Sequence, residues 1–237
     1  MMLAHPPWEA LRLYADARDR VPPALLEGAV CTLLEAMRDA RVDFASTNAA
    51  GASLLVHAIA HCRCSRALLT KLLSLGCQLS DEELASGQGM AVILRHHDTA
   101  LTALEHLALR PRNLRQRAYA NTRIEAMPDG GTALHLACRE APIYLLERYV
   151  EALVLGLGVS PALLNDRLQA PHQLLAEERL VPGVTSEGDR AVLTACIHRL
   201  MALGGQAYLH RKHAVHGLRH ALDPDAVHAI AVHSLAA

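Results

Sequence analysis

The sequence predicts an all-α fold, and three observations carry that prediction. Hydrophobic residues make up 51% of the chain but aromatics only 3%, so the apolar side chains are mainly Leu, Ala and Val. Leu and Ala lose little rotamer freedom in a helix, whereas strands favour β-branched and aromatic residues. Short apolar runs follow a glycine turn and a hydroxyl residue, as in Gly51-Ala52-Ser53-Leu54-Leu55 and Gly130-Gly131-Thr132-Ala133-Leu134. Longer Leu-rich runs end at glycine, as in Leu72-Leu73-Ser74-Leu75-Gly76, where a residue past the last turn takes up the left-handed conformation.

Taken in chain order, residues 1–24 predict a helical cap. Leu33–Arg38 with Val42-Asp43 predicts a first outer helix, which makes 1–47 one N-terminal unit. Ser53 predicts the cap of a short inner helix, because its hydroxyl can accept from the first free N–H groups, and Leu68–Leu75 predicts the outer helix that follows. Ser80-Asp81-Glu82-Glu83 reads as a capped extra helix, broken or restarted at Gly87-Gln88-Gly89. Thr102–Ala108 and Thr132–Cys138 predict further inner helices, with an outer helix over Tyr144–Leu155. Ala170-Pro171 opens another, since proline is tolerated in the first turn. Val181–Asp189 predicts a loop, and Leu200–Gly205 a last outer helix. Residues 206–237 predict a C-terminal helical cap, with Asp223-Pro224 starting its final helix.

The phrase Asp129-Gly130-Gly131-Thr132-Ala133-Leu134-His135-Leu136-Ala137-Cys138 resembles the start of an ankyrin repeat, whose pattern is roughly D-x-x-G-x-T-P-L-H-x-A; Ala133 stands where that family has proline. Worn forms recur at Gly51–Ala60, Thr102–Ala108 and Asn165–Ala176, and Leu68–Cys77 matches the family's outer helix. The cap positions Ser53, Thr102, Thr132 and Ala170 are unevenly spaced around the family period of about 33. The resemblance implies an ankyrin-like helical repeat solenoid over 48–205, with divergent helical caps at 1–47 and 206–237. It assigns His57 and His135 to bridging neighbouring turns. It also implies a protein-binding surface made of finger loops and the open side of the inner helices. On that surface it places Pro128, Asp129, Gly131, Arg139 and Glu140 around one motif, and Asp166, Arg167, Gln169, Glu177 and Glu178 around another. The small apolar finger Ala49-Ala50-Gly51-Ala52 belongs to the motif at Ser53. The loop Ile124–Pro128 is longer than the family requires, and exposed Ile124 and Met127 are the first contacts expected for a partner.

The function classes that remain are narrow. Net charge is −1, from 23 basic and 24 acidic residues, so no global field draws nucleic acid or an anionic membrane. No apolar run approaches the ~20 residues that span a bilayer, and the first residues lack the apolar core of a secretory leader. The cysteines sit among Leu and Ala, as buried free thiols do, which predicts a reducing, cytoplasmic setting. Nucleotide-binding, zinc-protease and serine-hydrolase phrases are absent, so no enzyme activity and no cofactor is expected.

Three clusters could carry other chemistry. His57, His61, Cys62 and Cys64 have metal-ligand residue types. His210, His213, His216 and His220 form a stripe if helical. Arg110, Arg112, Arg115, Arg117 and Arg123 form a basic run suited to an acidic partner. The expectation is a protein-interaction module; the alternatives are a bacterial effector or adaptor acting on a host protein, and a His/Cys metal-binding protein or small enzyme. The effector reading rests on the eukaryotic-style repeat and on lysine scarcity, since only Lys71 and Lys212 are lysines.

Overall fold

A computed structural model of the chain describes residues 6–109, 119–181 and 184–221, the side chains of 109 and 205–221 excepted. Among the described residues the protein is all-α, with no strand beyond two isolated antiparallel bridges, Thr47 with Ser53 and Arg123 with Thr132. The helices are α1 (Pro6–Ala17), α2 (Pro23–Asp39), α3 (Leu54–Ala60), α4 (Arg66–Ser74), α5 (Asp81–Ala85), α6 (Gln88–Arg95), α7 (His97–Leu109), α8 (Ala133–Glu140), α9 (Ile143–Glu151), α10 (Pro171–Arg179) and α11 (Glu187–Ala221). A π-helical turn, Ala152–Leu157, continues α9.

The helices pack as two rows. In the first, α1 meets α3, α3 meets α6, α6 meets α8 and α8 meets α10; in the second, α2 meets α4, α4 meets α7, α7 meets the π-helical turn and α9 meets α11. Between the rows lies the core, where Leu11, Leu34, Leu54, Leu69, Leu104 and Tyr149 are wholly buried. A single short helix cannot bury such a face alone, so the core forms only where neighbouring helices meet.

Local chemistry sets most boundaries. Ser53 Oγ accepts from Val56 N at 3.2 Å and Ser65 Oγ from Leu68 N at 3.2 Å, opening α3 and α4. At Ser80 the box closes both ways: its hydroxyl accepts from Glu83 N at 3.2 Å, and its N–H donates to Glu83 Oε2 at 2.9 Å. Gly76, past the end of α4, has φ +99°.

Three expectations are corrected. Thr102 caps nothing: it lies inside continuous α7, and the helix that begins at a turn in this region is α6, entered through left-handed Gly87 at φ +69°. The Leu-and-Ala phrase at 102–108 mimics the motif, but no turn residue precedes it. Gly204-Gly205 ends no helix, because α11 runs through both to Ala221; two glycines weaken a helix without forbidding it. Thr132, thirdly, makes no side-chain cap bond, and its hydroxyl instead lies 3.0 Å from His135 Nδ1. The expected helix at Asp223-Pro224 lies outside the described residues.

Candidate recognition surface

Three loops, hereafter fingers, feed the first-row helices α3, α8 and α10. Two of them close identically. Asn48 Oδ1 accepts from Ala50 N at 2.9 Å and Ala52 N at 3.0 Å, while Asn48 N donates to Ala52 O at 2.9 Å. Asn165 Oδ1 accepts from Arg167 N at 3.0 Å and Gln169 N at 2.9 Å, while Asn165 N donates to Gln169 O at 3.0 Å. An asparagine side chain replaces the missing ladder partner in each turn. In the middle finger Ile124 occupies the corresponding place, and Ile124 N reaches across a longer loop to Gly131 O at 2.8 Å.

That substitution overturns the expected exposure of Ile124 and Met127. Ile124 is 1% exposed and Met127 4%. Ile124 turns inward over Gly87, where a Cβ would meet its Cγ1 at 3.0 Å and its Cα at 3.1 Å. Met127 folds back on Gly131, where a Cβ would meet its Cε at 2.8 Å. The two glycines make room for these side chains, so the longer loop buries its apolar residues and shows Glu125, Ala126 and Pro128 to solvent. Gly131 is itself buried.

Asp129 is also inside rather than at the finger tip, its side chain 1% exposed. Its carboxylate pairs with Arg139 and accepts from Asn165 Nδ2 at 3.1 Å. Burial alone would raise this carboxyl, but the Arg139 guanidinium and the Asn165 amide hold it below the usual aspartate range. Arg139 continues outward to Glu178, donating from Nε to Oε2 at 2.9 Å. Donating to both carboxylates raises the Arg139 pKa further. The backbone N–H of Asp166 donates to Asp129 O at 2.8 Å, and its carboxylate pairs with Arg123 at the surface. Gln169 donates to Glu177. Glu140 is bound instead to Arg95 on α6, Nε to Oε2 at 3.0 Å.

The structure therefore brings Asp129, Arg139, Asp166, Gln169, Glu177 and Glu178 into one patch, leaves Glu140 tied to the preceding unit, and puts Ile124, Met127 and Gly131 beneath it. Arg167 is exposed at the third finger. Beside it is a residue the sequence reading missed: Leu168, 75% exposed with φ +60°. A branched residue in the left-handed region is uncommon, and its signal was a lone leucine inside the polar turn Asn165–Gln169.

His135 stands behind the patch, wholly buried. Its Nδ1 accepts from Thr132 N at 3.1 Å and its Nε2 donates to Gln169 O at 3.0 Å, which fixes the neutral tautomer. Burial lowers its pKa, against the opposing pull of the Gln169 carbonyl. His57 plays no such part: one residue later in its helix, its ring packs on Trp8 and His61.

Among the described residues no group of three or more His, Cys, Asp and Glu side chains converges as a metal site. His210, His213, His216 and His220 have no described side chains, and Arg110, Arg112, Arg115 and Arg117 lie outside the described residues. On the second row a groove of about 370 Å³ is lined by Glu105, Ala108, Arg148, Glu151, Ala152 and Gly156. Its charges pair within the fold, Arg148 with Glu105 at 3.0 Å and Glu151 with Arg199 at 3.2 Å. No helix among the described residues is long and apolar enough to cross a membrane. No protein-family model, curated protein or solved structure matches the chain.

Proposed function

We propose that the chain is a non-enzymatic protein-interaction module of the ankyrin type, working in a cytoplasm without a cofactor. The partner would sit on the exposed tips of the three fingers and the open sides of α8 and α10. The observation that carries this reading is the repeated asparagine closure at Asn48 and Asn165, each ahead of a short first-row helix. The fingers are also braced from outside themselves: Ser80 Oγ, at the cap of α5, donates to Gly51 O in the first finger at 3.2 Å, and Asp166 N in the third donates to Asp129 O in the second at 2.8 Å. Rigid loops projecting from a helical scaffold are suited to recognition because little ordering entropy is lost on binding.

The charges on this face are mostly neutralised within it, so recognition rests on the groups left over, Glu125, Arg167 and Leu168. Arg139 and Glu178 are poor probes, because changing them disturbs a buried carboxylate. The test is affinity capture from bacterial and eukaryotic lysates with wild type beside an Arg167→Glu, Leu168→Asp variant of unchanged helicity and melting. A partner held by wild type and lost by the variant supports the module and its surface. A partner indifferent to the variant, or none from either lysate, overturns the surface assignment.

A further inference from the structure

We propose that His57 and His61 form a two-imidazole chelate for a divalent transition ion, Cu²⁺ above all, at the C-terminal end of α3 beside Trp8. The two residues are one helical turn apart, and that turn is closed by His61 N donating to His57 O at 2.9 Å. Side chains at this spacing are neighbours on one helix face, and paired histidines of this kind bind zinc-class ions. Their ring centroids lie 5.0 Å apart, a separation that lets one nitrogen of each reach a common ion at about 2.1 Å.

Three other histidines contrast with this pair. Both His135 nitrogens are engaged, His96 Nδ1 lies 2.8 Å from Val92 O, and His97 Nδ1 lies 3.3 Å from Tyr149 Oη. His57 and His61 make ring contacts only, among the described residues.

Cys62 and Cys64 do not join the pair. Both thiols are buried, whereas the pair faces outward at His61. Cys62 Sγ is turned to Leu11 O at 3.6 Å. The ion therefore has two protein nitrogens and water, with His61 exposed to solvent. An open nitrogen site without thiolate follows the general order of divalent affinities, in which Cu²⁺ stands highest and Ni²⁺ and Zn²⁺ lower.

The chain supplies its own reporter. Trp8 is the single tryptophan, and its ring centroid is 5.0 Å from that of His57. Titration of the full chain with CuSO₄ at pH 7.5 in a non-chelating buffer, followed by Trp8 fluorescence, reads this site apart from the other histidines. The expected result is saturable quenching at one ion per chain, reversed by EDTA. His61→Ala, with helicity matching wild type, should weaken the apparent affinity by at least about 10- to 100-fold. His5→Ala, and a variant with His210, His213, His216 and His220 all changed to Ala, should leave the midpoint unmoved. Quenching that survives His61→Ala with the same midpoint overturns the proposal. So does loss of quenching in His5→Ala, or no saturable quenching by stoichiometric Cu²⁺.

Discussion

In the finger ahead of α3 a carboxylate does what an imidazole does in the finger ahead of α8. Glu83 Oε1 accepts from Ser53 N at 2.8 Å and its Oε2 from Ser80 N at 2.9 Å, joining the cap of α3 to the start of α5. His135 accepts from Thr132 N and donates to Gln169 O, joining the cap of α8 to the finger of α10. A carboxylate can only accept, so it ties two N–H groups together; a neutral imidazole ties an N–H to a carbonyl. The third cap uses an amide, with Ala170 N donating to Gln173 Oε1 at 2.8 Å. At the third helical position His135 and Gln173 face their own caps, but α3 has Val56 there, and Glu83 arrives from the inserted α5 instead. The requirement is a polar group at a buried cap, and it is met by whichever residue the local register presents.

The largest expected effect separates the fingers by charge. The middle finger holds an ionised Asp129, whereas the first finger uses neutral Asn48. Arg139→Ala should lower stability by about 3 kcal/mol in urea unfolding, because it strands a buried carboxylate. A loss under about 1 kcal/mol would mean that Asn165 and the backbone suffice, and that the middle finger depends on charge no more than the first. Next in size, Glu83→Ala leaves the Ser53 and Ser80 N–H groups without their acceptor and should cost about 2 kcal/mol. If Glu83→Ala melts like wild type, the carboxylate does not replace the imidazole and the comparison fails.

How far the sequence disclosed this arrangement depended on whether a residue's neighbours were local. The caps at Ser53 and Ser80, the stop at Gly76 and the proline start of α10 were legible, since each is set by residues within one turn. The bridging role of His135 was legible through the family phrase that contains it. The inward turn of Ile124 was not, because its partner is Gly87, which is distant in sequence and whose missing side chain is visible only once the two loops meet. The identity of the brace on Ser53 was hidden likewise: His57 has the right type but stands one residue too late, and a shift of one position rotates a side chain by about 100° around a helix. Thr102 was misread because Leu and Ala phrases suit any helix, and only a preceding turn marks a start.

A smaller effect distinguishes the two braces by pH. The His135 pKa is lowered in the folded chain, so the unfolded chain binds the proton more readily. Its bridge is therefore at full strength above the ordinary histidine pKa of about 6.5, and stability falls as pH drops below that towards the folded value. His135→Gln keeps an acceptor for Thr132 N, as Gln173 does for Ala170, but cannot titrate. The stability lost between pH 7.5 and 5.5 should be smaller in His135→Gln than in wild type. Among the described residues His57 and His172 add to the remaining slope, since burial lowers their pKa values in the same direction. Equal slopes would show that His135 does not carry its proton linkage through this bridge.

The smallest effect asks whether the fingers are independent. Glu83 and His135 share no hydrogen-bond partner, yet the middle finger rests on the unit between them, with Glu125 N donating to Ser86 O at 3.2 Å and Ile124 packed over Gly87. If each brace acts only on its own cap, the losses of Glu83→Ala and His135→Ala should add to within about 0.5 kcal/mol in the double variant. A larger coupling would mean that α5 transmits disorder from one finger to the next through Ser86 and Gly87, so that the fingers form one cooperative surface with two braces.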